Sequence, residues 1–210
     1  MAYRGRKLAA ALLAQVQPGK AAVVLPPRAA AGQPPEDARE LLAKVIAKLF
    51  GDGVQLVQAL LESDYGSDAQ LLADLGFRHL SNVLYLASWL PSFPTSEPND
   101  GLEFVAHSLA ERGRLADIVQ RTYAGSLDFP QVEGLRQIDD ILVGYASIGV
   151  FDPARWLIAS HRGVDVGCLL LADHPRTNHW ELIYMGVVPE ARGRGWGLCM
   201  TRHAQWLARR

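Results

Sequence analysis

The alternation of apolar and polar residues divides the chain into short strands and amphipathic helices. Apolar stretches rich in β-branched residues predict strands at 21–25, 54–61, 155–161 and 164–172. An apolar period of 3.6 residues, with acids early and lysines late, predicts a helix from Glu36 to about Phe50. Residues 8–16 form an Ala/Leu run that fits either a helix or a strand.

The same criteria extend the prediction over the remaining residues. Further strands are expected at 80–89, 102–105 and 180–188, and helices at 68–75, 113–122, 132–144 and 198–207. Residues 91–101 contain three prolines and predict a linker. We therefore expect one structural unit over 1–90 and a second over 102–210.

Composition narrows the classes of protein that the chain can belong to. Its 210 residues are 49% hydrophobic and 20% charged, as in an ordinary soluble globular protein. A net charge of -1 provides no general attraction to nucleic acid or to an anionic membrane. Cys168 and Cys199 form no disulfide framework or metal-ligand cluster, and no apolar run approaches the roughly 20 residues that span a bilayer. We expect a cytoplasmic protein with no metal, no nucleic-acid partner and no membrane contact.

The most informative stretch lies near the C-terminus, where a strand, a glycine-rich turn and a helix follow one another. Pro189 ends the strand, the turn covers residues 192–197, and the helix begins after it. Glycines bring backbone N–H groups close to a ligand, and a helix N-terminus adds partial positive charge. Together with Arg192 and Arg194, this arrangement indicates a phosphate site.

This stretch resembles the GNAT superfamily of acyl-CoA-dependent N-acyltransferases. The family pattern Arg/Gln-x-x-Gly-x-Gly/Ala falls on Arg192, Gly193, Arg194, Gly195, Trp196 and Gly197. The resemblance implies that these six residues bind the pyrophosphate of acetyl-CoA, the co-substrate. It also implies that the backbone of Met185, Gly186 and Val187 pairs with the pantetheine arm.

The resemblance further implies a general base and an acceptor pocket. Glu181 stands where several family members keep a glutamate that acts through water, although a merely polar strand position is the alternative. Tyr123, Asp128 and Arg136 are candidates for the acceptor pocket, because the family places its substrate loop between the first two helices. A solvated turn and helix surface is the competing interpretation for these three residues.

The order of elements resembles the family in two incomplete parts. Residues 102–210 follow its opening order, and residues 1–90 resemble its second half without a glycine nest for phosphate. No closing strands are predicted after Arg210, so either the chain is a truncated tandem protein or residues 1–90 supply that half. Both parts contain their own version of the strand–helix step at the centre of the family's fold, which duplication explains and permutation does not. We therefore favour a tandem arrangement with an incomplete second domain. The expected fold is α/β (α+β), with a GNAT-type mixed, largely antiparallel sheet flanked by helices in two partial or tandem units.

The resemblance implies an N-acetyltransferase that moves an acetyl group from acetyl-CoA to a primary amine. The acceptor is a small molecule or a peptide, and a homodimer is compatible with these features. The alternative is a catalytically impaired CoA-binding or interaction protein, because the segment that normally carries the family's acid is missing.

Overall fold

A computed structural model describes residues 1–62, 66–98, 101–126, 128 and 130–210, with the backbone alone at Leu109. Within these ranges the chain divides into two compact units. The first comprises Met1–Ser81 with Gly134–Asp140, and the second comprises Asn82–Glu133 with Ile141–Arg210. The predicted linker includes Asn99 and Asp100, which lie outside the described residues.

The first unit contains two small sheets and two helices. Its elements are β1 (Ala2–Arg4), β2 (Lys7–Ala11), β3 (Ala14–Gln17), β4 (Ala21–Val24), β5 (Arg28–Ala29), α1 (Pro35–Gly51), β6 (Leu56–Gln58) and α2 (Gly66–Asp74). One sheet has the order β1-β2-β5 and the other has the order β3-β4-β6, with β4 and β6 parallel. Apolar residues of β4 and α1, including Val24 and Leu42, form a buried core with Leu72 of α2.

The second unit is built on one antiparallel sheet of four strands. Its elements are β7 (Glu103–Ala106), α3 (Arg112–Tyr123), the greater part of α4 (Ile138–Ala146), β8 (Trp156–His161), β9 (Val164–His174), β10 (His179–Val187) and α5 (Trp196–Arg209). The strand order is β10-β9-β8-β7, so β10 lies at one edge. An edge strand leaves one row of backbone groups open to another partner.

Helices cover both faces of this sheet. Leu157, Leu169 and Leu171 pack with Ala204 and Leu207 of α5. The apolar face of α3 is also buried, and it is formed by Leu115, Ile118 and Val119.

A bulge between Leu182 and Tyr184 shifts the pairing of β10 with β9. After the bulge, Tyr184 pairs with Leu170 and Gly186 pairs with Cys168, which sets the side chains of the site.

The expected mixed, largely antiparallel fold with flanking helices is confirmed, but several predicted elements differ. The strand prediction over 80–89 is wrong, because residues 77–89 form no helix or strand. Leu84, Tyr85 and Leu86 are 82%, 84% and 90% exposed, since apolar β-formers make a strand only beside a pairing partner. The ambiguous stretch over 8–16 forms strands.

Two further elements are shorter than their patterns predict. The strand expected over 54–61 is limited to Leu56–Gln58, where β6 pairs with β4. The helix expected over 132–144 begins only at Ile138. Gly134 has a φ of 77°, a left-handed conformation that interrupts a helix.

Candidate functional site

The glycine-rich turn joins the end of β10 to the start of α5. Gly193 and Gly195 have φ values of 76° and 81°, so both occupy the left-handed region that favours glycine. α5 begins at Trp196 without a side-chain cap. In the described part of the chain, the backbone N–H groups of residues 193–197 donate to no backbone carbonyl. These amides are therefore available to an anion at the positive end of the helix.

The two arginines of the turn have different surroundings. The guanidinium of Arg192 donates to the backbone carbonyls of Val187, Gly125, Thr122 and Ala124. Arg194 makes one long contact, 3.4 Å from Nη2 to the Glu190 carbonyl. The guanidinium of Arg194 thus keeps donors for a ligand, whereas that of Arg192 is largely occupied within the protein.

A cleft of about 610 Å³ adjoins this turn. It is lined by Thr122, Gly125, Ser126, Asp128, Tyr184, Met185, Gly186, Val187 and Arg192. The residues expected to pair with the pantetheine arm thus form one wall, and the segment after α3 forms another. The lining of the cleft combines polar side chains with the backbone of an edge strand, so it offers hydrogen-bonding groups to a polar ligand.

The two walls are in close contact at Gly186. A Cβ atom added at this glycine would lie 2.5 Å from Cβ and 2.6 Å from Oγ1 of Thr122. Gly186 therefore lets α3 pack directly against β10 beside the cleft. Its backbone position, rather than a side chain, defines this part of the site.

Hydroxyl groups connect the walls. Thr122 Oγ1 donates to the Val119 carbonyl at 2.6 Å, which uses its one proton. It therefore accepts the 2.7 Å hydrogen bond from the Tyr184 hydroxyl. Burial raises the pKa of Tyr184 above its ordinary value near 10, so its phenol stays protonated at neutral pH.

Aromatic and sulfur groups complete this side of the sheet. The Tyr184 ring stacks on Tyr145 and meets Tyr123 edge-on, and the hydroxyls of Tyr123 and Tyr145 lie 2.9 Å apart. Cys168 pairs with Gly186 and is fully buried, which raises the pKa of its thiol to about 12. This thiol is therefore not a nucleophile at neutral pH.

Glu181 lies near the start of β10 and has a histidine partner. Its Oε2 is 2.8 Å from Nε2 of His174 on the neighbouring strand. The His174 ring stacks on His179 with centroids 4.6 Å apart. The Glu181 side chain is 47% exposed, so its carboxylate is open to water. Glu181 is not among the residues that line the cleft.

The other predicted site residues occupy separate surroundings. Asp128 lines the cleft, while its neighbours Leu127 and Phe129 lie outside the described residues. Arg136 belongs to the first unit, where it donates to the Gly19 carbonyl at 3.1 Å. The Trp196 ring packs at a tilt against the His161 ring, with centroids 5.0 Å apart. Its side chain is therefore used in packing, and the backbone amide is the group that Trp196 contributes to the turn.

Sequence patterns did not indicate Thr122, Gly125 or Ser126 as site residues. They reach the cleft because α3 ends beside β10, and their residue types carry no signature of a binding role. Gly125 is the local signal that the sequence offers, because glycine favours turns. The structure agrees, since its φ is 60°. Tyr145 was missed for the same reason, because its contact with Tyr184 joins two distant segments.

No group of three or more His, Cys, Asp or Glu side chains in the described ranges could hold a metal ion. None of the helices seen there combines the length and the apolar character needed to cross a bilayer.

Known structures with this fold were found, although the sequence itself matches no protein-family model and no curated protein. A GCN5-related N-acetyltransferase from Sphaerobacter thermophilus aligns with 95% of this chain and 64% of its own, at a TM-score of 0.57 and 16% identity. One from Kribbella flavida aligns with 90% of this chain and 66% of its own, at a TM-score of 0.53 and 17% identity. The chain thus spans slightly less than two thirds of the length of each, and it has the fold of GCN5-related N-acetyltransferases.

Proposed function

We propose that this chain binds acetyl-CoA and transfers its acetyl group to a primary amine. One observation carries the proposal: the open amides at the start of α5 directly follow Arg192, which lines the same cleft as Met185, Gly186 and Val187. Backbone amides at a helix N-terminus suit a pyrophosphate, and the free edge of β10 suits an extended amide-containing arm. The likeness in fold supports this assignment by analogy, because one fold hosts many chemistries and the site has to carry the functional argument.

Acetyl transfer places defined demands on the residues around the cleft. The amine must be neutral when it attacks the thioester carbonyl, and the developing oxyanion needs a hydrogen-bond donor. For a lysine-like amine with a pKa near 10.4, deprotonation at pH 7 costs about 4 to 5 kcal/mol. Glu181 does not line the cleft, so its role in the proposal is to accept this proton through intervening water; its carboxylate is exposed and lies 2.8 Å from Nε2 of His174.

Isothermal titration of the whole chain with acetyl-CoA tests the proposal. We expect saturable binding that Arg194→Ala weakens about tenfold or more, because a charge-assisted hydrogen bond to phosphate is lost. Arg202→Ala is the matched control, since Arg202 is an exposed arginine on α5, the helix that follows the turn, and lies beyond its first turn. Absence of binding by a chain with a native circular-dichroism spectrum would refute the proposal.

The second candidate is a CoA-binding protein that does not turn over. It is favoured by the state of Tyr184, whose proton is directed to Thr122 and whose pKa is raised by burial, so this phenol is a poor acid for a departing thiolate. The variant Glu181→Gln separates the candidates. An enzyme should lose acetylation by about 10²- to 10⁴-fold while keeping its affinity for CoA. A binding protein should show no acetylation before or after the change.

A further inference from the structure

Arg192 is the most extensively bonded side chain at the candidate site. Its Nε donates to the Val187 carbonyl at 3.1 Å, and its Nη1 donates to Gly125 at 2.9 Å. Its Nη2 donates to Thr122 and to Ala124, both at 2.9 Å. A guanidinium has five N–H donors in a rigid fork. Four contacts to carbonyls therefore leave little capacity for a phosphate.

The four carbonyls belong to two separate walls of the cleft. Three lie at the end of α3, on Thr122 in its last turn and on Ala124 and Gly125 just beyond it, where a helix leaves carbonyls unsatisfied and favours a cation. The fourth is on Val187, the last residue of β10. Arg192 thus joins the 122–126 segment to the start of the glycine-rich turn, across 67 to 70 positions of sequence.

We propose that Arg192 is a positioning residue that holds the 122–126 segment as a wall of the cleft, and that Arg194 is the arginine that binds pyrophosphate. This inference rests on the proposed acetyl-CoA site. The two arginines thus have different roles, although both belong to the same glycine-rich turn. The bonds between this wall and Arg192 lie entirely within the protein, so we expect them to hold the wall without a ligand.

The substitution Arg192→Lys discriminates between the two roles. Lysine keeps the positive charge but is a single point donor, so it cannot reproduce a fork that reaches four carbonyls. If Arg192 acts on phosphate through charge, lysine should largely replace it. If Arg192 positions the wall, lysine should fail nearly as badly as alanine. Arg194→Lys and Arg194→Ala are the matched controls on the same turn.

Hydrogen exchange of the ligand-free chain gives the first readout. We expect the amides of residues 124–126 to exchange about tenfold faster in Arg192→Lys and in Arg192→Ala, because loss of these bonds opens the segment locally. The Arg194 variants should exchange as the unchanged chain does. Unchanged exchange in both Arg192 variants would overturn the inference. This readout needs no ligand, so it stands even if the proposed function fails.

Binding gives the second readout, with acetyl-CoA and S-acetylpantetheine as probes. The second probe lacks the pyrophosphate and the nucleotide. We expect Arg192→Lys to weaken both probes by a similar factor, and Arg194→Ala to weaken acetyl-CoA alone. A loss in Arg192→Lys that is confined to acetyl-CoA would make Arg192 a phosphate ligand and overturn the inference. If the unchanged chain binds neither probe, the acetyl-CoA proposal fails, and exchange alone decides whether Arg192 holds the wall.

Discussion

At the scale of single residues, Gly186 is a position where one added methyl group should have a large effect. A methyl group there would lie 2.5 Å from Thr122 Cβ, well inside van der Waals contact. We expect Gly186→Ala to lower the free energy of unfolding by about 1 to 3 kcal/mol, because α3 must move away from β10. Urea denaturation followed by circular dichroism measures this loss.

Gly197, a second glycine of the candidate site, supplies the control for that prediction. A Cβ atom at Gly197 meets no atom within 4 Å, and the residue lies in the first turn of α5. Gly197→Ala should therefore be neutral or stabilising by up to about 1 kcal/mol, since alanine is the better helix former. Equal stabilities for the two variants would contradict the close approach of α3 to Gly186.

At the scale of elements, the contact between α5 and β7 makes stability depend on pH. The His203 ring stacks on Phe104 at a centroid distance of 3.7 Å and is buried. Burial lowers its pKa below the ordinary value of 6.5. Below that pH the unfolded chain binds a proton that the folded chain does not, so stability falls as pH decreases from about 6.5.

The variant His203→Phe keeps an aromatic ring on Phe104 and removes the titration. We expect urea denaturation between pH 7 and pH 5 to show a shallower loss of stability in this variant. Some loss should persist, because burial also lowers the pKa of His107. The limiting slope for one proton is about 1.4 kcal/mol per pH unit. An unchanged slope would show that the His203 contact does not control this dependence.

At the scale of the whole chain, each unit contains a strand, a loop and a helix, but the two loops differ. In the first unit β4 leads to α1 through residues 25–34, where Gly32 is the one glycine and proline precedes the helix. Arg28, in the two-residue strand β5 within this connection, is already paired with Asp68 through two contacts of 2.8 Å. An anion would have to compete with that carboxylate.

We therefore predict one molecule of acetyl-CoA per chain. The stoichiometry from calorimetry measures this number directly. Arg28→Ala should leave affinity and stoichiometry unchanged, in contrast to Arg194→Ala. Two equivalents of ligand, with one lost in Arg28→Ala, would show that the loop of the first unit also binds.

Local sequence predicted the features that depend on neighbouring residues. The helices α1, α3 and α5, the hairpin of β8 and β9, and the glycine-rich turn all follow from apolar period and turn chemistry. The left-handed φ values at Gly193 and Gly195 agree with the glycines that the pattern placed there. These features are predictable because backbone conformation is set largely by residues within a few positions.

Contacts between distant segments were decided by the tertiary structure alone. No local pattern could show that Arg192 reaches the carbonyls at the end of α3. Nor could one show that Thr122 contacts Gly186, or that the Tyr184 hydroxyl is hydrogen-bonded to Thr122. The exposed segment over 81–89 is the opposite case, since its composition favours a strand but no strand in the described residues pairs with it. The sequence by itself thus determined the turn that presents amides to a ligand. The packing of α3 against β10 decided which side chains remain free to use it, because a hydrogen bond depends on where both partners lie in space.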